Sequence, residues 1–229
     1  MTYSLAARCA RTGAFGVVTT TADIAVGARV PFAAAGVGAV VTQHRTDPRL
    51  GPLGLRMLAE GGSADDVIGR LMGSTPHAGW RQVAVVDAAG RTAAFSGDRV
   101  TTIGCEEHGE GCVAIGNCLR DAGVGAAMTA AFTAAAAEPL GERLLRALEA
   151  GLAAGGETSP ARSAALLVVR DPDLALVDLR IDDDAEPIGA LRRLWDGYRG
   201  WVGDFRLRAL DPDRASGTAD GGAGDGEPA

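Results

Sequence analysis

The chain has 229 residues, 47% of them apolar but only 4% aromatic, and its formal net charge is −7. That length suffices for one large domain or two small ones, with a core built mainly from Ala, Val and Leu. No cluster of arginines interleaved with aromatic residues occurs, which excludes the usual pattern of nucleic-acid binding. No apolar run approaches the roughly 20 residues of a membrane-spanning helix, and the N-terminus lacks an apolar signal segment. We therefore expect a cytoplasmic protein with reduced cysteines.

The first residues are Met1-Thr2, directly before a predicted strand over Tyr3–Ala7. The small Thr2 side chain permits removal of Met1, which would leave a hydroxyl beside a free α-amine. Such an amine has a pKa of roughly 7.7–8.0, so it can accept the hydroxyl proton and activate a nucleophile. Thr2 is therefore a candidate catalytic residue, although many ordinary proteins also begin with Met-Thr.

The hydrophobic pattern then predicts strands, helices, strands and a final helix. Turn residues at 11–13 separate Tyr3–Ala7 from a return strand at Ala14–Thr21. Ser63 is the expected N-cap of a helix that carries acids in its first turn. The other predicted elements are strands at 36–43, 82–87, 91–96, 112–115, 163–169 and 175–181, and helices at 53–60, 120–137, 140–154 and 187–198. This order is typical of the α+β class. We expect one domain over residues 1–209 and a disordered acidic tail over 210–229.

Glycine-rich and cysteine-rich segments do not match common cofactor sites. Gly36-Val37-Gly38 lacks the third glycine of a dinucleotide fingerprint, and a phosphate-binding loop is excluded because lysine is absent. A set of soft donors could bind zinc, but its spacing matches no common zinc site. These donors are Cys105, His108, Cys112 and Cys118. We expect buried or incidental thiols there, and neither a metal nor a cofactor.

Three polar features have two interpretations each. Gly116-Asn117 stands between a strand and a helix, where an oxyanion hole and a helix cap are both consistent with the sequence. Asp182-Asp183-Asp184 could bind a hard cation, but an acidic turn that caps a helix is favoured. His44 and His77 are isolated, and we interpret each as a loop residue rather than a catalytic base.

Several segments together resemble a bacterial family known as domain of unknown function 1028, which is grouped with the N-terminal-nucleophile (Ntn) hydrolases. The resemblance spans roughly residues 1–200. The segments are Met1-Thr2-Tyr3-Ser4-Leu5-Ala6-Ala7-Arg8, Ala25-Val26-Gly27-Ala28-Arg29-Val30-Pro31-Phe32, Ala35-Gly36-Val37-Gly38-Ala39-Val40-Val41-Thr42-Gln43, Gly51-Pro52-Leu53-Gly54-Leu55, Gly116-Asn117, Ser163-Ala164-Ala165-Leu166-Leu167-Val168 and Asp178-Leu179-Arg180-Ile181-Asp182-Asp183.

The resemblance implies a four-layer αββα sandwich, in which two antiparallel sheets lie between layers of helices. It also implies hydrolysis of an amide-like C–N bond in a small molecule, with Thr2 as nucleophile and Asn117 at the oxyanion. The residues implied to bind substrate are Thr21, Thr42, Gln43, Gly116, Arg180 and Asp182. A homodimer is expected from the same superfamily.

Three polar positions depart from the family pattern. Family members usually carry a histidine in a Gly-His segment before the Gly-Asn pair, where this chain has Cys105 and a displaced His108. Ser159–Ser163 replaces an Arg-Gly-x-Gln-Ser pattern, and Asp184 replaces a histidine. Two alternatives to a hydrolase of this type therefore stay open. One is a non-catalytic small-molecule-binding or scaffold protein, and the other is a metal-dependent hydrolase that uses Cys105, His108 and Cys112.

Overall fold

The computed structural model describes residues 1–216, which form ten strands and six α-helices. The strands are β1 (Thr2–Arg8), β2 (Phe15–Thr21), β3 (Pro31–Ala34), β4 (Gly38–Gln43), β5 (Gln82–Asp87), β6 (Thr92–Ser96), β7 (Cys105–Gly109), β8 (Cys112–Asn117), β9 (Ser163–Asp171) and β10 (Leu174–Ile181). The helices are α1 (Leu50–Ala59), α2 (Ala64–Gly73), α3 (Val124–Ala134), α4 (Leu140–Ala153), α5 (Pro187–Tyr198) and α6 (Val202–Leu210).

The strands form two sheets in which every neighbouring pair is antiparallel. The larger sheet has the order β10-β9-β2-β1-β8-β7, and the smaller one has the order β3-β4-β5-β6. β1 is central in the larger sheet, where Thr2 lies opposite Asn117 of β8. Both long edges of β1 are therefore hydrogen-bonded, which fixes the backbone that follows Thr2.

Three apolar clusters hold these elements together. One lies between the two sheets and contains Phe15, Val41 and Ile115. The second joins the larger sheet to α3, α4 and α5, and the third joins the smaller sheet to α1 and α2. Since side chains alternate along a strand, Leu5 faces helices while Ala6 faces the other sheet. The predicted α+β class and single domain are confirmed.

Some predicted elements have different limits in the structure. The helix predicted from Leu53 begins at Leu50, and the one predicted over 120–137 is shorter at both ends. Three elements were not predicted at all. β3 begins with Pro31, which an edge strand tolerates because its missing N–H breaks no interior pair. β7 is a polar edge strand, so it lacks the apolar alternation that indicates a strand. α6 is only weakly amphipathic, so its sequence lacks a clear helical pattern.

The predicted helix N-terminus at Ser63 is confirmed. The Ser63 hydroxyl accepts a hydrogen bond from the Asp66 N–H at 3.2 Å, and the Asp66 carboxylate accepts one from the Ser63 N–H. This capping box satisfies two backbone donors that the first turn of α2 would otherwise leave unpaired.

The start of the predicted tail is folded. α6 ends at Leu210, a 3-10 turn follows at Pro212–Arg214, and Ser216 donates a backbone hydrogen bond to Asp204 at 2.8 Å. The sequence pattern did not show this because the turn is short and polar. The rest of the predicted tail, residues 217–229, lies outside the described residues. Within residues 1–216, no helix combines the length and apolarity needed to cross a membrane.

α4 and α5 are joined through a buried carboxylate. Glu142 accepts hydrogen bonds from Arg146, Arg192 and the Trp195 indole at 2.7–2.8 Å. Burial alone would raise the pKa of Glu142, but these donors lower it from 4.5 to about 2. The folded state therefore favours the ionised form more strongly than the unfolded chain does.

Glu142→Gln is expected to lower the free energy of unfolding by about 2 kcal/mol at neutral pH, because a charged acceptor of three hydrogen bonds is lost. Because its folded pKa lies below the unfolded value, this stabilisation is present above pH 4.5 and is lost as the pH falls toward 2. Urea unfolding of wild type and variant between pH 7 and pH 2 measures it. The exposed Glu138→Gln is the matched control. A difference between wild type and Glu142→Gln that does not shrink with falling pH would contradict this assignment.

Candidate functional site

Thr2 lies at the start of the central strand with its side chain between the sheets. It is only 6% exposed, and its Oγ1 is 3.1 Å from Oγ1 of Thr21 on the neighbouring strand β2. Both hydroxyls also donate to the carbonyl oxygen of Met1. Two hydroxyl groups therefore meet one carbonyl at the point where the chain enters the sheet.

A cleft of ≈ 370 Å³ opens above Thr2. It is lined by Met1, Thr2, Asp23, Arg29, Val30, His44, Arg45, Thr46 and Cys118. Met1 is 37% exposed and forms part of this lining. Removal of Met1 would enlarge the cleft directly beside the Thr2 hydroxyl.

The cleft wall contains strained backbone. Five non-glycine residues among residues 1–216 have a positive φ, and three of them line the cleft: His44, Arg45 and Cys118. Such conformations cost free energy and persist where the surrounding structure holds them, often at functional sites. Their concentration here marks this cleft as the first candidate site.

A buried chain of polar side chains connects the two sheets beneath the cleft. Ser4 donates to Oε1 of Gln43 at 2.7 Å, and Nε2 of Gln43 donates to Oε1 of Gln82 at 2.7 Å. Nδ2 of Asn117 donates to the same oxygen of Gln82 at 3.0 Å. Nε2 of Gln82 donates to the Gly116 carbonyl at 2.8 Å. These bonds fix the amide groups around Thr2 in defined orientations.

Asn117 is fully buried in β8, so it caps no helix. One of its two amide hydrogens goes to Gln82, whereas its Oδ1 is buried with no hydrogen-bond partner among the described residues. A buried amide oxygen without a donor is costly. Asn117 therefore presents a free acceptor next to Thr2, its partner across the strands.

Sequence reasoning missed Glu157, which lies in the loop before β9. It is 5% exposed, its Oε2 accepts from the Ala22 N–H at 2.9 Å, and its Oε1 has no partner. Burial raises the pKa of Glu157 from 4.5 to about 7, although the Ala22 N–H and the positive N-terminus oppose the shift. A carboxyl group that titrates near neutrality thus lies within electrostatic reach of the N-terminus. No motif around Glu157 indicates this in the sequence.

His44 is a loop residue, as predicted, and it also lines the cleft. Its Nδ1 is 2.9 Å from the Trp80 carbonyl, and the two rings stack at 6.3 Å. A carbonyl oxygen can only accept, so Nδ1 carries the hydrogen and, in the neutral ring, Nε2 is an acceptor. The position directly after Gln43 at a strand end was the available sequence signal.

The other predicted substrate-binding residues lie at differing distances from this cleft. Thr42 supports its wall, since its hydroxyl donates to the Asp47 carbonyl at 3.3 Å behind residues 44–46. Gly116 packs closely, and an added Cβ would lie 2.8 Å from Leu119. Arg180 is exposed and pairs with Asp178 at 2.7 Å. Asp182 is exposed as well, and neither Arg180 nor Asp182 lines the cleft.

The four soft donors do not form a metal site. Among residues 1–216, no group of three or more His, Cys, Asp and Glu side chains is arranged to hold a metal ion. Cys112 is buried against helices, Cys118 lines the cleft, and His108 contacts the Thr92 hydroxyl at 2.7 Å. Burial raises the pKa of Cys105 and of Cys112 to about 11 in each case, as expected for inert thiols.

Comparisons with known proteins extend this picture. A family model described as "Family of unknown function (DUF1028)" matches residues 2–191. The crystal structure of protein SPO2555 from Silicibacter pomeroyi, itself assigned to that family model, is similar over 86% of this chain and 88% of its own, with 32% identity and a TM-score of 0.79. No curated protein matches the chain. On the family match and the structural similarity together, the chain belongs to the DUF1028 family of unknown function.

Proposed function

We propose that the protein is an N-terminal-nucleophile hydrolase that cleaves an amide-like C–N bond in a small molecule after Met1 is removed. The observation that carries this proposal is the position of Thr2, whose hydroxyl lies at the floor of the cleft beside the chain's own N-terminus. Two antiparallel sheets between outer helices support the four-layer sandwich that the proposal requires.

In this mechanism the free α-amine of Thr2 takes the proton from the Thr2 hydroxyl, and Oγ1 attacks the substrate carbonyl. The resulting ammonium group then gives its proton to the leaving amine, so that an ester of Thr2 remains. Water, activated by the same amine, hydrolyses that ester and restores the hydroxyl.

The neighbouring groups have separate roles in the proposal. Thr21 orients the nucleophile through its hydroxyl, 3.1 Å from that of Thr2. The unpartnered Oδ1 of Asn117 accepts a hydrogen bond from the α-amine. The second amide hydrogen of Asn117, together with backbone N–H groups, stabilises the oxyanion. Ser4, Gln43 and Gln82 hold Asn117 in place.

Intact-mass measurement of the native protein is expected to show loss of Met1 on nearly all molecules, because residue 2 is small. In a screen of small amides, Thr2→Ala is expected to lower the hydrolysis rate at least about 10³-fold, since the nucleophile is removed. Thr2→Ser keeps a hydroxyl and should retain measurable activity.

Two results would exclude Thr2 from the mechanism. The first is retention of Met1 on most molecules of the native protein. The second is a Thr2→Ala variant that hydrolyses the same amide as fast as wild type.

Glu157 is expected to set the pH dependence of this reaction. Its negative charge favours the ammonium form of the nearby α-amine, so Glu157→Gln should favour the free amine that acts as base. The acid limb of the kcat/KM profile should therefore move to lower pH. Glu60→Gln, on the exposed end of α1, is the matched control. An unchanged acid limb in Glu157→Gln would exclude an electrostatic role for Glu157.

A stability measurement tests the same residue without a substrate. The folded-state pKa of about 7 lies above the ordinary 4.5, so wild type binds more protons when folded in this interval. Its free energy of unfolding should fall as the pH rises from 4.5 to 7. Glu157→Gln should lack this component. An identical pH dependence of the free energy of unfolding in the two proteins over this range would contradict the raised pKa of Glu157.

One observation favours a second function, a non-catalytic small-molecule-binding protein. His108 is directed to Thr92 on the smaller sheet, and its strand partner is Val113, four residues before Asn117. It therefore does not replace the histidine that the family pattern places before Gly-Asn. If this alternative holds, small-molecule ligands should raise the melting temperature of the protein without being hydrolysed. Turnover by wild type that is abolished in Thr2→Ala would favour the hydrolase over this alternative.

We retain a homodimer as the proposed assembly, which light scattering tests.

A further inference from the structure

A second pocket lies at the opposite end of β1 from Thr2. It has a volume of ≈ 320 Å³, and its lining includes Arg8, Cys9, Gly90, Glu110 and Arg143. Arg8 is the last residue of β1 and lies six positions after Thr2. At about 3.3 Å per residue, the two sites are roughly 20 Å apart along the strand. The pocket is therefore separate from the proposed catalytic cleft.

Arg143 is a buried cation without a carboxylate partner. Its residue is 8% exposed, its Nε donates to the Phe132 carbonyl at 3.2 Å, and its guanidinium lies 3.8 Å from the centre of the Phe132 ring. No ion pair to Arg143 exists among residues 1–216. By contrast, Arg192 and Arg81, which are similarly enclosed, each reach a carboxylate.

An unpaired buried charge is unfavourable unless a counter-charge accompanies it. Nε is already bonded to the protein, whereas the terminal nitrogens have no acceptor among residues 1–216 and are not fully buried, so a ligand in the pocket that Arg143 lines can reach them. The pocket supplies the space. A bound anion would pair with Arg143 through the two-nitrogen edge that guanidinium groups offer to phosphate and carboxylate.

The rest of the lining adds positive charge to the same space. Arg8 is half-buried at the end of β1 and has no carboxylate partner in the described part of the chain. Glu110 is the one acid in the lining, and it is exposed at the β7–β8 turn. Arginine charge therefore exceeds acidic charge around the pocket, which favours an anionic ligand.

Two further features fit a ligand site. Gly90 and Gly111 lie in turns at the pocket with φ of 82° and 66°, so their backbone faces the space without side chains. The Cys9 thiol also lines the pocket. Burial opposes ionisation of its thiol, but hydrogen bonds from Thr12 and Arg11 and the charge of Arg143 hold the Cys9 pKa below its usual range. Negative charge is thus stabilised at this position.

We propose that this pocket binds a small anion, a phosphate or carboxylate group on a small molecule, with Arg143 and Arg8 as its charged ligands. The site does not depend on Thr2 chemistry. Its occupant neutralises Arg143 and links the β1–β2 turn to α4.

A titration of the full chain with sodium phosphate, followed by backbone amide NMR, tests the proposal. Sodium chloride at matched ionic strength is the reference, and sodium acetate distinguishes a carboxylate preference from a phosphate preference. We expect saturable shifts at Cys9, Gly90 and Gly111 with phosphate or acetate, and none that saturate with chloride. Shifts that match those in chloride, or that spread over the surface without saturation, would overturn the proposal.

Substitutions of the charged residues in the pocket lining test which of them bind the anion. Arg143→Gln should weaken binding at least about tenfold, because a bidentate charged contact is lost. Arg8→Gln should weaken it about threefold, and Glu110→Gln should tighten it about twofold by removing a repulsive charge. The exposed Arg56→Gln on α1 carries the same charge change and should leave affinity unchanged. If Arg143→Gln does not fold, the opposite effects of Arg8→Gln and Glu110→Gln decide. Equal affinities in those two variants and Arg56→Gln would contradict the site.

Discussion

The hydrogen-bond chain from Ser4 through Gln43 and Gln82 to Asn117 is the constraint on which the arrangement of the site depends. It lies between two sheets whose facing surfaces are otherwise mostly apolar, with Thr2, Thr19 and Thr21 as further polar residues. A buried amide that loses its partner costs free energy, so these side chains must meet in one relative placement of the sheets. That placement sets β1 against β4 and β5, and it brings the Thr2 hydroxyl to the floor of the cleft. The polar chain therefore fixes the position of Thr2, on which the proposed function depends.

The same strand connects two chemically different ends of the molecule. At its start, acceptors dominate: the free Oδ1 of Asn117 and the carboxyl group of Glu157 face the region of the N-terminus. At its end, Arg8 and the unpaired Arg143 surround a pocket with excess positive charge. The acceptors at the start of β1 favour an amine, and the positive charge at its end favours an anion. The first assignment follows from two unsatisfied buried oxygens, which native proteins keep rare, and the second from arginines without a carboxylate partner among residues 1–216.

Much of the fold could be read from hydrophobic patterns. The hairpin of β1 and β2, the capped start of α2, and the limits of β5 and α5 follow from period, turn and cap residues. Edge strands could not be read in this way. β7 has the sequence Cys-Glu-Glu-His-Gly, and its partner strand rather than its own composition makes it extended.

Part of the site could be predicted from the alternation of side chains along the strands. Ser4, Gln43, Gln82 and Asn117 each stand two positions from an apolar residue of the inner sheet faces, namely Ala6, Val41, Ala84 and Ile115. Alternation therefore places them on one surface. Glu157 could not be found, because it approaches the N-terminus from a loop whose path is set by long-range contacts. His44 was indicated only by its position directly after Gln43 at a strand end. Arg180 and Asp182 were implied by family resemblance, but the cleft lining does not include them.

Covalent trapping tests the central claim most directly. The mature protein is treated with a β-lactone, an electrophile that acylates an activated hydroxyl, and the digested peptides are weighed by mass spectrometry. The account predicts one adduct on the N-terminal peptide at Thr2, absent from Thr2→Ala and from protein that retains Met1. An N-terminal peptide that stays unmodified in the Met1-free protein, or equal labelling of protein with and without Met1, would contradict it.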